Sequence, residues 1–370
     1  MTLIKVKSRG TDNVTGRKNL IINGGMQVAQ RATSVASISS TGYHTLDRFE
    51  YYVAGIDELR ITMSQDSSAP TGADSGFSKS LKIDCTTAES AIAADENVRV
   101  WQLIEAQNLT RLGYGTSGAK STTLSFYVKS SLTGTYAVSF WCQDSGRNIT
   151  KTYTINTADT WEKKTVTIPG DTGGTGINID NGEGMRINWF LNAGSNFTST
   201  NTNNQWDTFA PGRHAFGHTA AWGTNTSHDF FITGVQFEVG DSASDFEHRS
   251  FAEELQLCQR YLQRTSSGGQ VYFTVGHVWS STLCQYDYTF PTRMRAHPAI
   301  STSGTITNLS MQSPVNVSST SIDDYSGSGY TKGHVIKFNG NMSSSGYNTG
   351  YACALLLNSN GAYIQFDAEL

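Results

Sequence analysis

Most of this chain is written in a period of two. In residues 123–129, Leu124, Phe126 and Val128 fall on one side and Thr123, Ser125, Tyr127 and Lys129 on the other. After a turn at 131–134, Tyr136, Val138, Phe140 and Cys142 continue an apolar face, with Ala137, Ser139 and Trp141 opposite. Such alternation marks strands with one buried face, and the two runs read as an antiparallel hairpin. Leu81-Ile83-Cys85, Val98-Val100-Gln102-Ile104, Val166-Ile168, Met185-Ile187-Trp189-Leu191 and Val235-Phe237-Val239 repeat the pattern between clusters of Gly, Asp, Asn and Ser. Many short strands without intervening helical periods predict an all-β fold, a jelly-roll β-sandwich over 19–246. Residues 170–184 and 194–223 read as long polar loops on it.

The period changes once, over 247–264. Phe251, Leu255, Cys258 and Leu262 step by four, three and four, and Ser250 with Glu253 makes a capping box. The pattern predicts a short junction helix over 247–264. Its narrow apolar seam fits either a helix lying on one domain or a short coiled-coil contact between subunits. Strands return over 265–370, a second, smaller C-terminal β-sandwich. Asn360-Gly361 there is a hairpin signal, and Ile364, Phe366, Ala368 and Leu370 share a face that would tie the C-terminus into a sheet.

Charged residues are only 16% of the chain and the net charge is −4, which offers no general attraction for nucleic acid or an anionic membrane. Residues 1–18 read as an arm, with Lys5, Lys7 and Arg9 among polar residues and no apolar run of signal-peptide or membrane-spanning length. Synthesis in the cytoplasm is therefore expected. The five cysteines stand singly, without the paired spacing of a zinc or redox site.

The usual catalytic signatures are missing: no phosphate-cradling loop, nucleophile elbow or HExxH helix occurs. His214 and His218, with His228 and Asp229 nearby, align only on a helix, and this Gly-rich stretch reads as loop, so no metal site is assigned. Glu96, Glu105, Asp47 and Asp229 could each serve glycoside hydrolysis, but none stands out. No catalytic residue and no enzyme activity is expected.

Binding has more support. Sugar rings stack on exposed aromatic faces, and alternation puts Tyr127 and Trp141 on the polar sides of successive strands. They form a glycan platform unless another layer covers them. Trp206 and Trp222, in the long loop, are further glycan-binding candidates, and Trp161 is expected in the core.

Several segments resemble known proteins. Residues 19–31, Asn19-Leu20-Ile21-Ile22-Asn23-Gly24-Gly25-Met26-Gln27-Val28-Ala29-Gln30-Arg31, with Leu46-Asp47-Arg48-Phe49, resemble the opening of tail-fibre-type virion proteins of bacteriophages. Phe246-Glu247-His248-Arg249-Ser250 and the helix after it resemble their junction. Phe290-Pro291, Met294 to Pro298 and the final Phe366-Asp367-Ala368-Glu369-Leu370 resemble their terminal domain. The middle is similar to jelly-roll carbohydrate-binding modules. These modules often open with Asn-Gly, a small residue, Phe and Glu, whose carboxylate helps bind calcium. Met26-Gln27 stand there instead, so no structural calcium or other cofactor is carried over.

The resemblance implies a tail fibre or fibre-like adhesin located in the virion. Lys5, Lys7 and Arg9 would attach it to other phage virion proteins. Phe251, Leu255, Cys258 and Leu262 would form a homotrimer contact, and host surface polysaccharide would be the ligand. The alternatives are a capsid decoration or cement protein and a polysaccharide depolymerase.

Overall fold

The computed structural model describes residues 18–72, 76–200, 204–310, 316–319, 321–324, 334–342 and 347–370. The arm candidates Lys5, Lys7 and Arg9 lie outside the described residues.

Twelve strands form the first unit: β1 (Ser34–Ile38), β2 (Glu50–Ala54), β3 (Arg60–Asp66), β4 (Ser80–Thr87), β5 (Asn97–Glu105), β6 (Thr122–Ser130), β7 (Gly134–Cys142), β8 (Arg147–Ile155), β9 (Glu162–Ile168), β10 (Glu183–Ala193), β11 (Asp207–Thr208) and β12 (Asp229–Val239). They make two six-stranded sheets, β1-β3-β4-β12-β6-β9 and β11-β8-β7-β10-β5-β2, paired antiparallel throughout. The apolar sides face each other as the alternation predicts. Leu124, Phe126, Val128, Phe230, Ile232 and Phe237 of one sheet meet Val138, Phe140, Ile187, Trp189 and Leu191 of the other in a single core. Phe126 meets Trp189 edge-on at 6.1 Å, and Phe140 lies 5.6 Å from Phe237. A bulge at Gly234 (φ 62°) in β12 shifts the register between Thr233 and Gln236, which lets Ile232 and Val235 both point inward. The jelly-roll sandwich stands.

The hairpin expected from β6 and β7 does not. β6 pairs with β12 and β9, β7 with β8 and β10, so the turn after β6 crosses from one sheet to the other. Alternation reports which side of a strand is buried, but it is blind to the neighbour that fills the backbone hydrogen bonds.

The junction helix is shorter than its pattern. It runs over Phe251–Gln259, closed at its start by the predicted box in which Ser250 and Glu253 cap each other. The chain then turns into β13 (Leu262–Ser266). Strand pairing with a core β-strand overrides the helical period there. β13 is followed by β14 (Val271–Ser280), β15 (Leu283–Thr289), β16 (Ala299–Ser303), β17 (Ile306–Ser310), β18 (Asn316–Ser318), β19 (Ser321–Asp324), β20 (Val335–Asn341), β21 (Ala352–Leu357) and β22 (Tyr363–Asp367). They form a three-stranded sheet β13-β22-β16 and a seven-stranded sheet β18-β17-β21-β14-β15-β20-β19. A separate core of Tyr286, Phe338, Leu355, Ile364 and Phe366 lies between them. β21 and β22 belong to different sheets, so Asn360-Gly361, with Gly361 at φ 77°, turns a sheet-to-sheet crossing rather than a hairpin. Ile364, Phe366 and Ala368 are buried as expected, while the terminal Leu370 is half-buried.

The sequence motifs at the two ends of the chain meet where the units join. The Asn19 amide donates to Val235 O and accepts from Phe237 N, stitching the first described residues to β12. A Cβ on Gly24 would lie 2.1 Å from Val235 O, so this glycine is required by backbone approach. Arg249 donates to Asn19 O and Ile21 O and pairs with Glu247 and Glu254. Arg260 pairs with the buried Glu105 at 2.9 Å, Gln30 donates to Leu262 O, and Arg31 pairs with Asp367 at 2.8 Å. Arg48, whose side chain is 1% exposed, pairs with Glu369, 6% exposed, and its guanidinium lies 3.5 Å over the Tyr261 ring.

Candidate ligand-binding face

The outer face of the second sheet is ordered by its register. β8, β7, β10 and β5 align Asn148, Trp141, Arg186 and Leu103 in one row. The next row runs Thr150, Ser139, Asn188, Trp101 and, on β2, Glu50. The third runs Thr152 and Ala137 on one side and Phe190, Arg99 and Tyr52 on the other. Aromatic and cationic side chains thus alternate across neighbouring strands.

The Arg186 guanidinium lies 4.1 Å from the Trp101 ring and 4.9 Å from Trp141, between two indoles. Glu183 pairs with Arg186 at 2.7 Å. Trp141 stacks on Phe209 at 4.8 Å, and Tyr52 lies 4.6 Å from Trp101, whose indole donates to Glu50 at 2.5 Å. Cation–π contacts of this kind contribute about 0.5–2 kcal/mol each, more as water is excluded. The result is an aromatic row from Tyr52 through Trp101 and Arg186 to Trp141 and Phe209, in which Trp101 is 5% exposed with Arg99 and Arg186 on its ring, so the ring surface left to a ligand belongs to the half-buried Tyr52 and Trp141.

Beneath it lie polar groups that the protein leaves unfilled. Ser139 Oγ, Asn188 Oδ1, both amide atoms of Asn148, Trp141 Nε1, His214 Nε2 and Arg99 Nε are buried without a protein partner. Each such atom costs about 1–3 kcal/mol unless something else completes it. A hydroxyl-rich ligand offers donors and acceptors of the right kind, while the aromatic faces suit sugar C–H faces.

Trp141 is the one predicted glycan residue on this face. Tyr127 sits on the outer face of the opposite sheet, against Phe77 and Lys163, so Tyr127 and Trp141 cannot form one platform. Trp206 is buried, donating to Pro169 O at 2.7 Å and meeting Tyr114 edge-on. Trp222 is 0% exposed and belongs to the core. Long loops fold back on a sandwich to cover its ends, and their large apolar side chains go inward with them. Trp161, expected in the core, is instead half-buried on the outer face of the first sheet, edge-on to Phe231 with Lys129 over it.

The helix seam is also corrected. Cys258 and Leu262 are fully buried within the chain, Leu262 lies in β13, Leu255 is half-buried and only Phe251, 59% exposed, is open. Half of the seam is spent on the chain's own core, which leaves too little for a coiled coil.

His218 is held by backbone groups. His218 accepts from Ala137 N at Nδ1, and its Nε2 lies 2.8 Å from Ala220 O. Burial lowers it to about 4. No group of three or more His, Cys, Asp or Glu is placed to hold a metal among the described residues. At the opening, Gln27 donates its amide N–H to Gly25 O, and the Asp47 carboxylate accepts from the backbone and side chain of Gln30.

Trp101, Tyr52, Arg99 and Arg186 were missed by sequence reasoning. The signal existed for two: reading Val98, Val100 and Gln102 inward places Arg99 and Trp101 outward. Arg186 and Tyr52 join them only through strand order.

No protein-family model matches this chain, and no curated protein matches it. Among solved structures, it is similar to the enzymatically active domain of tailspike protein 4 of bacteriophage CBA120, at 13% identity and TM-score 0.31, covering 60% of this chain and 21% of that one. It spans about a fifth of that tailspike chain. It is also similar to the family 11 carbohydrate-binding module of a Clostridium thermocellum cellulosomal cellulase, at 11% identity and TM-score 0.28, covering 57% of this chain and 100% of that one. A third is TmCBM61 in complex with β-1,4-galactotriose, at 9% identity and TM-score 0.27, covering 61% and 100%. At such identities and scores, any ligand must be argued from this chain's own residues.

Proposed function

We propose that the chain is a non-catalytic adhesin of a bacteriophage particle that binds host surface glycan on the outer face of its second sheet. The observation that carries the glycan is Arg186 held between Trp101 and the half-buried Trp141, an aromatic row beside buried polar groups that lack protein partners. The particle rests on the sequence motifs at the chain ends, which resemble tail-fibre-type virion proteins. Self-association as a trimer belongs to the same reading. Its surface would be Tyr272, Val275 and Trp279 of β14, at 59%, 64% and 57% exposure, rather than the helix.

The test is affinity electrophoresis of the purified chain in gels containing polysaccharide from candidate hosts. Retardation by at least one polymer is expected, with Tyr52→Ala and Trp141→Ala each weakening it about tenfold, the loss of one stacked ring. A folded protein that no host polysaccharide retards, and that does not compete with phage for host cells, would sink the proposal. Light scattering of Val275→Lys and Trp279→Ser variants tests the trimer surface: monomers are expected where the parent is trimeric.

A further inference from the structure

On the same face, Arg99 is a buried cation without a carboxylate. Arg31, Arg48, Arg147, Arg186, Arg249 and Arg260 each pair with an acidic side chain, but Arg99, 6% exposed, forms no ion pair among the described residues. It is gripped by rings instead, 4.1 Å from Tyr52, 4.7 Å from Trp101 and 5.3 Å from Phe190. The Glu50 carboxylate, whose charge reaches it, is engaged by the Trp101 indole. One hydrogen bond holds the guanidinium, from Nη1 to His214 Nδ1 at 3.1 Å, and Nε has no acceptor.

That contact determines the chemistry of its neighbour. A guanidinium only donates, so His214 Nδ1 accepts and Nε2 carries the proton of the neutral ring. Burial, with Arg99 and Arg186 nearby, holds His214 well below its ordinary range and keeps it neutral. His214 Nε2 also lacks a partner, as does Trp141 Nε1, whose ring lies 6.0 Å from the His214 ring. Arg99 Nε, His214 Nε2 and Trp141 Nε1 are N–H donors, while the unfilled Asn188 Oδ1 and Asn148 Oδ1 on the same face are acceptors suited to sugar hydroxyls. A cluster of donors around an uncompensated cation calls for an anionic acceptor, and the Nε edge of an arginine is half of the fork that grips a carboxylate.

We infer that Arg99, with His214 and Trp141, forms a carboxylate subsite on this face, and that the glycan bound there is acidic, carrying uronate or similar carboxyl sugars. The inference rests on the glycan reading above. The half-buried Tyr52 would hold the sugar ring while the carboxylate meets the Arg99 edge.

The probes are uronate-bearing bacterial polysaccharides, the same polymers after chemical reduction of their carboxyl groups to alcohols, and dextran sulfate. With the full chain, at least one native polymer is expected to bind, and carboxyl reduction to weaken it by about tenfold or more, as loss of a charge-assisted contact requires. This comparison needs no variant and so does not depend on folding. Arg99→Gln should abolish the difference between native and reduced polymer, and Arg99→Lys, which keeps charge without the fork, should restore only part of it. Binding indifferent to carboxyl reduction, yet lost in Tyr52→Ala, would overturn the carboxylate subsite and leave the glycan face standing. Dextran sulfate bound equally by the parent and Arg99→Gln, with no uronate polymer bound, would overturn it as mere surface attraction. Binding of no polymer, neutral or acidic, would overturn both readings.

Discussion

Replacing Glu369 with Gln asks whether the two units are held as one. Glu369 accepts from both Arg31 and Arg48 across the joint. Burial alone would depress the Arg48 guanidinium, yet the adjacent Glu369 carboxylate helps hold it above its ordinary value. Removing that charge leaves Arg48 buried with Leu103 O and the Tyr261 ring as its remaining support, while Arg31 keeps Asp367. Breaking one partner of a buried pair costs about 3–5 kcal/mol, and the isosteric amide, which still accepts, puts Glu369→Gln near about 3. With a guanidinium chloride dependence of about 4 kcal/mol per molar, the unfolding midpoint should fall by roughly 0.7 M. Of the seven tryptophans, all but Trp279 lie in the first unit. Tryptophan fluorescence therefore follows that unit, while far-ultraviolet circular dichroism follows both. The two signals should separate in the variant. A midpoint shift below about 0.2 M with coincident signals would refute the idea that this ion pair couples the units.

Other predictions concern the same buried groups. Burial raises the Asp47 carboxyl to about 6, so its favourable contribution is complete below its unfolded value near 4 and is lost as pH rises through 6. Asp47→Asn should remove a stability loss of about 2 kcal/mol between pH 4.5 and 7.5, measured by denaturant titration; an unchanged pH profile would contradict it. His218 has the opposite sign. Lowered to about 4 by burial, it supports the fold above pH 6.5 and loses that support as pH falls toward 4, a loss of about 3 kcal/mol that His218→Gln should flatten. Gly24→Ala should destabilise the first unit by about 2 kcal/mol or more, because its Cβ would meet Val235 O at 2.1 Å; an unshifted thermal melt would show that the backbone there yields.

Short-range physics was legible where a residue's environment depends on its own neighbours. The inward side of β6, β7 and β10 and the box of Ser250 and Glu253 follow from periodicity and local hydrogen bonding. Trp141 was likewise placed on an outer face correctly. The ends of the chain also carried a signal, since the residues of 19–31, 247–260 and 367–369 that looked like motifs converge on one joint.

What failed did so at each point where a second segment decides. β6 and β7 each present an apolar side, but only the sandwich assigns them to opposite sheets and so separates Tyr127 from Trp141. Leu262 continues a helical period, yet pairing with β22 makes it a strand residue. Trp222 sits in a polar stretch and is swallowed by the core as its loop folds back. Strand order is set by long-range hydrogen bonds whose partners lie up to about 150 residues apart in the sequence, as Ile232 and Leu81 do, and alternation carries no information about them. The amino-acid order therefore determined that this chain is β-rich and which side of each strand is apolar. Only the tertiary structure brought Tyr52, Arg99, Trp101, Arg186 and Trp141 onto one face, because neighbours in a sheet are chosen by the fold as a whole.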